Sequence, residues 1–196
     1  MTFVVATHNA HKLAELQAIL STLGIQAITA DLPDVEETGI TFAENARLKA
    51  QAACEATGLP AIGDDSGLCV DELGSDPGVY SARYAGEGAS AAACNAKLLQ
   101  ELADIPPEYR TAGFVCAICC VFPDGTCLET IGSCQGFIAL EPQGEGGFGY
   151  DPLFLTADGR SFAQLSGDEK DAISHRGRAL TQLKTLLEER YANTHE

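Results

Sequence analysis

The first 24 residues combine two hydrophobic patterns that strongly limit how the chain can fold. Residues 3–6 (FVVA) are typical of a buried strand, and residues 7–12 (THNAHK) follow as a short polar turn. The apolar residues from Leu13 to Leu23 then recur at helical spacing until Gly24. The chain is therefore predicted to begin with a strand, a polar turn and a helix.

This polar turn has the properties of an anion site. The first turn of a helix presents free backbone N–H groups at the positive end of the helix dipole. Lys12 falls in that turn, where a cation is unfavourable unless an anion offsets its charge. Residues 7–12 therefore suit a phosphate group, although the glycine spacing of a P-loop is absent.

The remaining segments alternate between strand and helix patterns, with no repeats and no low-complexity linkers. A helix is predicted from Thr41 to Gly58, because Thr41 and Glu44 form a capping-box pattern and glycine is a common helix end. Further strands are predicted at 25–30, 59–63, 68–70, 109–122, 126–134 and 153–155, and further helices at 90–102 and after Ser174. The pattern predicts an α/β fold, a mixed sheet with flanking helices, in a single domain spanning residues 1–196.

Charge and hydropathy exclude several classes of protein. The chain has 196 residues, 45% of them hydrophobic, and 12 Lys and Arg against 28 Asp and Glu give a net charge of −16. A general nucleic-acid binder needs a basic face, so nucleic acid is not expected as a partner. No apolar run approaches ~18 residues, so no membrane partner is expected. The N-terminus lacks a signal-like pattern, which predicts a cytoplasmic protein.

Eight cysteines raise the question of a metal or redox site, and Cys116 and Cys119 have C-x-x-C spacing. Their segment has the composition of a buried strand, on which residues three apart point to opposite faces. Cys116 and Cys119 are therefore not expected to share a zinc ion. The cysteines are expected to act as small apolar residues in a reducing compartment.

Two acidic segments are candidates for a metal site. Residues 63–67 (GDDSG) place Asp64 beside Asp65, a repulsive pair unless a metal or proton is shared, yet the same residues also make an ordinary turn. Residues 34–38 (DVEET), taken alone, read as a solvated acidic loop. Together the two segments could supply the oxygen ligands that Mg²⁺ prefers.

Two later segments have the properties of a ligand site. Residues 144–152 (GEGGFGYDP) place four glycines around two aromatic residues, which allows close backbone approach and ring stacking. Lys170 and residues 174–177 (SHRG) place basic groups near a helix start, where contact with an anion or a base would explain them.

Six motifs in chain order resemble the inosine/xanthosine triphosphate pyrophosphatase family, and they span nearly the whole sequence. They are T-x-N-x-x-K at 7–12, E-E-T-G-x-T-F-x-E-N-A at 36–46, D-D-S-G-L at 64–68, Y-S-A-R-Y at 80–84, G-G-F-G-Y-D-P at 146–152 and S-H-R-G at 174–177.

The resemblance implies an elongated α/β fold with two lobes around a central nucleotide cleft. It also implies a Mg²⁺-dependent homodimeric enzyme. Such enzymes hydrolyse non-standard purine nucleoside triphosphates (ITP, dITP and XTP) to the monophosphate and pyrophosphate, which cleanses the nucleotide pool.

The resemblance also implies roles for individual residues. Asp65 matches the proton acceptor and metal ligand, and Asp64 lies beside it as a further ligand. The metal-binding glutamate is Glu36 or Glu37, and both remain open. The substrate-binding positions are Thr7, His8, Asn9, Ala10, His11, Lys12, Lys49, Ser66, Phe148, Gly149, Tyr150, Asp151, Lys170, His175 and Arg176. His8 and His11 stand where relatives commonly have glycine.

Residue chemistry supports these roles independently. Lys12 and Lys49 would stabilise charge on the leaving phosphates, and Asp65 would deprotonate the attacking water. His175 and Arg176 could donate hydrogen bonds to the keto group that distinguishes hypoxanthine or xanthine from adenine. Two alternatives remain open: a pyrophosphatase of broader specificity, and a protein that binds nucleotides without hydrolysing them.

Overall fold

The computed structural model describes residues 1–32 and 35–192, apart from the side chain of His11. Asp34, in the predicted acidic loop, therefore lies outside the described residues. The described chain forms six strands and five α-helices. The strands are β1 (Thr2–Ala6), β2 (Gln26–Ile28), β3 (Ala61–Val70), β4 (Thr111–Val121), β5 (Cys127–Ile138) and β6 (Phe154–Leu155). The helices are α1 (Ala10–Ser21), α2 (Phe42–Thr57), α3 (Ala91–Glu101), α4 (Gly167–Ile173) and α5 (His175–Ala192).

The strands form one mixed sheet in the order β2-β1-β3-β4-β5-β6. β1 pairs in parallel with β2 and with β3, where Val5 lies opposite Ile62. β6 pairs antiparallel with β5. The predicted α/β class and mixed sheet are confirmed.

The chain divides into two compact units. The described residues of the first fall in Met1–Asp65, Cys116–Gly132 and His175–Glu196, and the second consists of Ser66–Val115 and Ser133–Ser174. Three of the four boundaries fall within β3, β4 and β5, and the fourth lies between α4 and α5. The prediction of a single domain over residues 1–196 stays a prediction.

Each face of the sheet in the first unit has its own core. On one face, Phe3 and Ile62 pack with Leu16 of α1 and Leu180 of α5. On the other face, Val4 packs against the small buried residues of α2, which include Ala46, Ala50 and Ala53. Small side chains on α2 let this helix lie very close to the sheet, and Gly63 of β3 marks the closest approach. A Cβ added at Gly63 would lie 2.2 Å from the carbonyl oxygen of Ala46 and 2.7 Å from the nitrogen of Ala50.

The predicted capping of α2 is confirmed at both ends. The Thr41 hydroxyl accepts a hydrogen bond from the backbone N–H of Glu44, and the Glu44 carboxylate accepts one from the N–H of Thr41. Gly58 ends the helix in the left-handed conformation with φ 67°. These contacts are local, which explains why the sequence pattern alone identified them.

An aromatic cluster forms the core of the second unit. The Phe114 ring centroid lies 4.7 Å from that of Phe154 and 5.7 Å from that of Phe162. Leu98 of α3 packs in the same core. The Tyr150 hydroxyl donates a hydrogen bond of 2.9 Å to the carbonyl oxygen of Ser81, which anchors the end of the glycine-rich segment.

The largest error of the sequence prediction concerns residues 59–70. Two short strands were predicted at 59–63 and 68–70, and a turn was one of the two readings of the residues between them, whereas β3 runs without interruption from Ala61 to Val70. The predicted break between two strands was wrong, because buried cationic and amide partners, described below, compensate the aspartates within one strand. The short helix α4 was not predicted, and β2 is shorter than the predicted strand at 25–30.

The predicted separation of Cys116 and Cys119 is confirmed, since Cys116 lies in the core with α1 and α5 whereas Cys119 lies in the core with α2. All eight cysteines are free thiols. None of the described helices has the length and apolar content required to span a membrane.

Gly63→Ala should lower the free energy of unfolding by about 1–3 kcal/mol, because the new methyl group would overlap backbone atoms that cannot rotate away. Urea denaturation measures this change. Gly167→Ala is the matched control, since no atom lies within 4 Å of its added Cβ. Equal stability of the two variants would contradict the close packing of β3 on α2.

Candidate active site

Asp64 and Asp65 are adjacent on β3, and both are buried, with 3% and 6% of their surface exposed. Successive side chains on a strand point to opposite faces. Asp64 therefore faces the side of α1 and α5, while Asp65 faces α2. The strand separates two carboxylates that a turn would have left side by side.

Asp64 is held by two cations and a thiol. Its Oδ1 lies 2.6 Å from Nζ of Lys12, and its Oδ2 accepts hydrogen bonds from Nε of Arg176 at 3.1 Å and Sγ of Cys116 at 3.3 Å. Nη1 of Arg176 also donates to Glu15 at 2.7 Å. Burial alone would raise the pKa of Asp64, but Lys12 and Arg176 hold that pKa well below its ordinary value. Asp64 is therefore ionised at neutral pH.

Asp65 has a different electrostatic environment. Its Oδ2 accepts a hydrogen bond of 3.1 Å from Nδ2 of Asn45, and its Oδ1 lies 3.6 Å from Nζ of Lys49. Lys49 also donates a hydrogen bond of 2.8 Å to Glu37. Burial and the nearby charge of Glu37 raise the pKa of Asp65, and these effects outweigh the opposing ones of Lys49, Asn45 and Lys12. A carboxylate with a raised pKa is suited to accept a proton.

The carboxylates of Glu37 and Asp65 are suited to hold a divalent cation. Both approach the ammonium group of Lys49, so a positive charge already lies between them. Carboxylate oxygens are the ligands that hard cations such as Mg²⁺ prefer. Of the two glutamates left open by the sequence, Glu37 contributes to the electrostatics of Asp65, whereas Glu36 is exposed.

The predicted phosphate loop leads into α1 as expected. The carboxamide oxygen of Asn9 accepts a hydrogen bond of 3.3 Å from the N–H of Lys12, and the hydroxyl of Thr7 accepts one of 3.1 Å from the N–H of Asn9. His8 and Ala10 are exposed, and the side chain of His11 lies outside the described residues. The contact between Lys12 and Asp64 places this loop beside the buried carboxylate.

In the second unit, the structure brings together Phe148, Asp151 and Lys170. Oδ2 of Asp151 accepts hydrogen bonds from the N–H of Phe148 at 2.8 Å and from Nζ of Lys170 at 2.7 Å. Nζ of Lys170 also lies 4.6 Å from the centroid of the Phe148 ring. Gly147 has φ +70°, and a Cβ there would lie 2.1 Å from Oδ2 of Asp151. The glycine therefore permits the turn that Asp151 closes.

The other predicted residues of this unit have well-defined positions. The carbonyl oxygen of Gly149 accepts a hydrogen bond of 3.1 Å from Nδ2 of Asn95, and Tyr150 is buried. Ser66 is half-buried on β3.

His175 and Arg176 begin α5, and both are buried. Arg176 has 1% of its surface exposed, and its guanidinium forms ion pairs with the carboxylates of Asp64 and Glu15. Gly132 of β5 allows this helix start to approach the sheet, because a Cβ there would lie 2.1 Å from the carbonyl oxygen of His175. The predicted roles of His175 and Arg176 in base recognition stay predictions.

Sequence reasoning missed three residues that position the aspartates. Asn45 is fully buried and bridges two segments, since its Oδ1 accepts from the N–H of Gly39 while its Nδ2 donates to Asp65. An asparagine among the apolar and alanine residues of α2 was the available signal. Glu15 and Cys116 were missed because nothing in the sequence pattern indicates that Glu15 contacts Arg176 or that Cys116 contacts Asp64.

The fold and this cluster define an α/β protein in which one strand carries two buried carboxylates, one of them in contact with Lys12 at the start of α1. The profile of the Ham1 family matches residues 3–186, and the chain belongs to the Ham1 family.

Individual relatives are similar to this chain over nearly their full length. A protein of Frankia alni, named dITP/XTP pyrophosphatase, is 53% identical over 96% of this chain and 98% of its own. A protein of Geobacter sulfurreducens with the same name is 52% identical over 94% of this chain and 95% of its own. A HAM1 protein from Coxiella burnetii has a solved structure that superposes on this one with a TM-score of 0.89. The two sequences are 46% identical, and the match covers 96% of this chain and 99% of the other.

Asp64→Asn should lower the free energy of unfolding by about 3–5 kcal/mol, because it leaves Lys12 and Arg176 without their shared carboxylate. Asp158→Asn, which removes an exposed partner of Arg160, is the control and should change stability little. Urea denaturation of both variants at neutral pH measures the difference.

The same ion pairs predict a dependence on pH. The pKa of Asp64 is lowered in the folded state, so its contribution is present above the ordinary aspartate pKa of about 4 and is lost as the pH falls. Asp64→Asn should therefore lose less stability on acidification than the unchanged protein. Parallel stability curves below pH 4 would contradict the assignment.

Proposed function

We propose that the chain hydrolyses non-standard purine nucleoside triphosphates, namely dITP, XTP and ITP, to the monophosphate and pyrophosphate. It would thereby remove these nucleotides from the nucleotide pool. The names of the Frankia alni and Geobacter sulfurreducens relatives support the substrate class. The observation that carries the proposal is Asp65, a buried carboxylate of raised pKa beside Lys49 and Glu37.

In the proposed mechanism, Asp65 accepts the proton of the attacking water. Asn45 holds the Asp65 carboxylate by its Oδ2, which leaves Oδ1 directed toward Lys49. A positioned general base typically contributes ~10²–10⁴-fold to the rate. Lys12 and the N-terminus of α1 bind the phosphates and stabilise the charge that develops on pyrophosphate as it leaves.

We propose Mg²⁺ as the cofactor, with Glu37 and Asp65 as ligands and Asp64 contributing through its charge. At this position Mg²⁺ would supply positive charge that offsets the negative charge of the phosphates. Glu37 and Asp65 share the Lys49 ammonium, so a cation suits this position.

The residues proposed to recognise the nucleoside are Ser66, Phe148, Gly149, Tyr150, Asp151, Lys170 and His175. Arg176 is proposed instead to hold Asp64 in place. Phe148 contributes an aromatic ring, the group that stacks on a base, and Lys170 holds Asp151 in place beside it. We also propose that the protein is a homodimer and acts in the cytoplasm. The two-lobed arrangement around a central cleft stays a prediction of the family resemblance.

Asp65→Asn should abolish turnover while nucleotide binding survives, because the amide keeps the shape of the side chain but cannot accept the proton. Pyrophosphate release is measured with dITP, XTP, dGTP, dATP and dTTP, each with and without Mg²⁺, and binding is measured by calorimetry. Asp104→Asn, at an exposed position, is the control and should keep full activity.

Three results would contradict the proposal in different ways. Turnover by Asp65→Asn near the unchanged rate would remove Asp65 from the base role. Equal efficiency on all five nucleotides would favour the broader pyrophosphatase. Binding without pyrophosphate release by the unchanged protein would favour a nucleotide-binding protein.

Arg176→Ala should lower kcat/KM for dITP and dATP by similar factors. The physical reason is that two nitrogens of Arg176 already donate to Asp64 and Glu15, so the substitution disturbs the carboxylate rather than the base. The ratio of the two kcat/KM values is the measurement. A roughly tenfold fall in this ratio, the size expected for one lost hydrogen bond of about 1.4 kcal/mol, would instead assign Arg176 to base recognition.

A further inference from the structure

A second cluster of potential ligands lies outside the proposed active site. It consists of Cys119 on β4 and of Cys127 and Glu129 on β5, and we call it the thiol cluster. The two sulfur atoms are 3.0 Å apart, and the sulfur and carboxylate ligand atoms all lie within 4.8 Å of one another. Cys119 is buried, Cys127 is half-buried and Glu129 is exposed, so the cluster is accessible from solvent on one side.

The pleat of the two strands creates this cluster. Cys127 and Glu129 are two residues apart on β5, so their side chains share one face. Cys119 projects into the core with α2, against which Cys127 also packs. The C-x-x-C spacing of Cys116 and Cys119 gives no shared site, whereas the hairpin brings Cys119 to a cysteine eight residues away.

Arg47 of α2 orients the carboxylate of the cluster. Its Nε and Nη2 both lie 2.9 Å from Oε1 of Glu129, so among the described contacts Oε2 stays available as a ligand. Hydrogen bonds from neighbouring groups are the usual way in which proteins orient a ligating carboxylate.

The charges of the cluster match a divalent ion. Once metal binding has removed both thiol protons, the two thiolates and the Glu129 carboxylate would carry three negative charges, and the Arg47 guanidinium carries one positive charge. A divalent cation would bring the total to zero, which lowers the cost of placing charge beside a buried strand.

We propose that Cys119, Cys127 and Glu129 bind a thiophilic divalent cation of the Zn²⁺ class, with water as a fourth ligand. Zinc binds thiolate and carboxylate ligands in a tetrahedron, and thiolates disfavour Mg²⁺. Each thiol gives up one proton when its sulfur ligates the metal, so two protons pass to solvent for each cation bound. The cluster is thus chemically distinct from the oxygen ligands proposed at Glu37 and Asp65.

The test is titration of the fully reduced protein with Co²⁺, a spectroscopic substitute for Zn²⁺, in excess Mg²⁺ so that oxygen sites are filled. We expect thiolate-to-cobalt charge-transfer absorption that saturates at one Co²⁺ per chain and disappears when Zn²⁺ is added. Cys119→Ser and Cys127→Ser should each abolish this absorption. Glu129→Gln should weaken Co²⁺ binding by about tenfold or more.

Cys69→Ser is the matched control, since Cys69 is also a half-buried free cysteine but lies outside the cluster, and it should keep the absorption unchanged. Circular dichroism verifies that each variant is folded. The readout does not involve turnover, so its result is independent of the proposed pyrophosphatase activity.

Two results would overturn the proposal. One is charge-transfer absorption that persists in the double variant Cys119→Ser/Cys127→Ser. The other is the absence of this absorption in the reduced protein. If mild oxidation of a separate sample then links Cys119 to Cys127 as a disulfide, the pair is a redox couple rather than a metal site.

Discussion

The buried carboxylate of Asp64 is the constraint on which the first unit depends. An isolated charge with 3% exposure would cost several kcal/mol, so it persists only with close cationic partners. Lys12 and Arg176 supply them, and Arg176 lies 112 positions further along the chain. The ion pairs thus tie the start of α1, the middle of β3 and the start of α5 together. They also explain why Lys12 is tolerated in the first turn of a helix.

The pleat of β3 then gives two adjacent aspartates opposite properties. Asp64, facing two cations, has a lowered pKa and stays ionised, whereas Asp65, facing Asn45, Lys49 and Glu37, has a raised pKa. Neighbouring groups whose pKa values are driven apart by their environments are a recurring basis for acid–base catalysis. One carboxylate therefore serves as fixed charge, and the other is suited to proton transfer and cation binding.

Local features of the fold were predictable from the sequence, and non-local ones were not. The capping box of α2 and its glycine end involve residues close in the chain, and both were predicted. The strand at residues 61–70 was not, because Asp-Asp-Ser-Gly has turn composition and its compensating partners Lys12, Lys49 and Arg176 are distant in sequence. Similarly, Asn45 gave a weak signal and Glu15 none, since their roles depend on which strand and helix face them.

Residue patterns along the chain were enough to predict the α/β class, a candidate anion loop at the start of α1 and the motifs that resemble the inosine/xanthosine triphosphate pyrophosphatase family. These depend on hydrophobic periodicity, capping and residue type, which involve residues close together in the chain. Tertiary structure decided which face each aspartate occupies, that Glu37 rather than Glu36 lies near Asp65, and that Cys119 meets Cys127 rather than Cys116. The physical reason is that pairing between strands and the two-residue alternation of the pleat, not spacing along the chain, bring these side chains together.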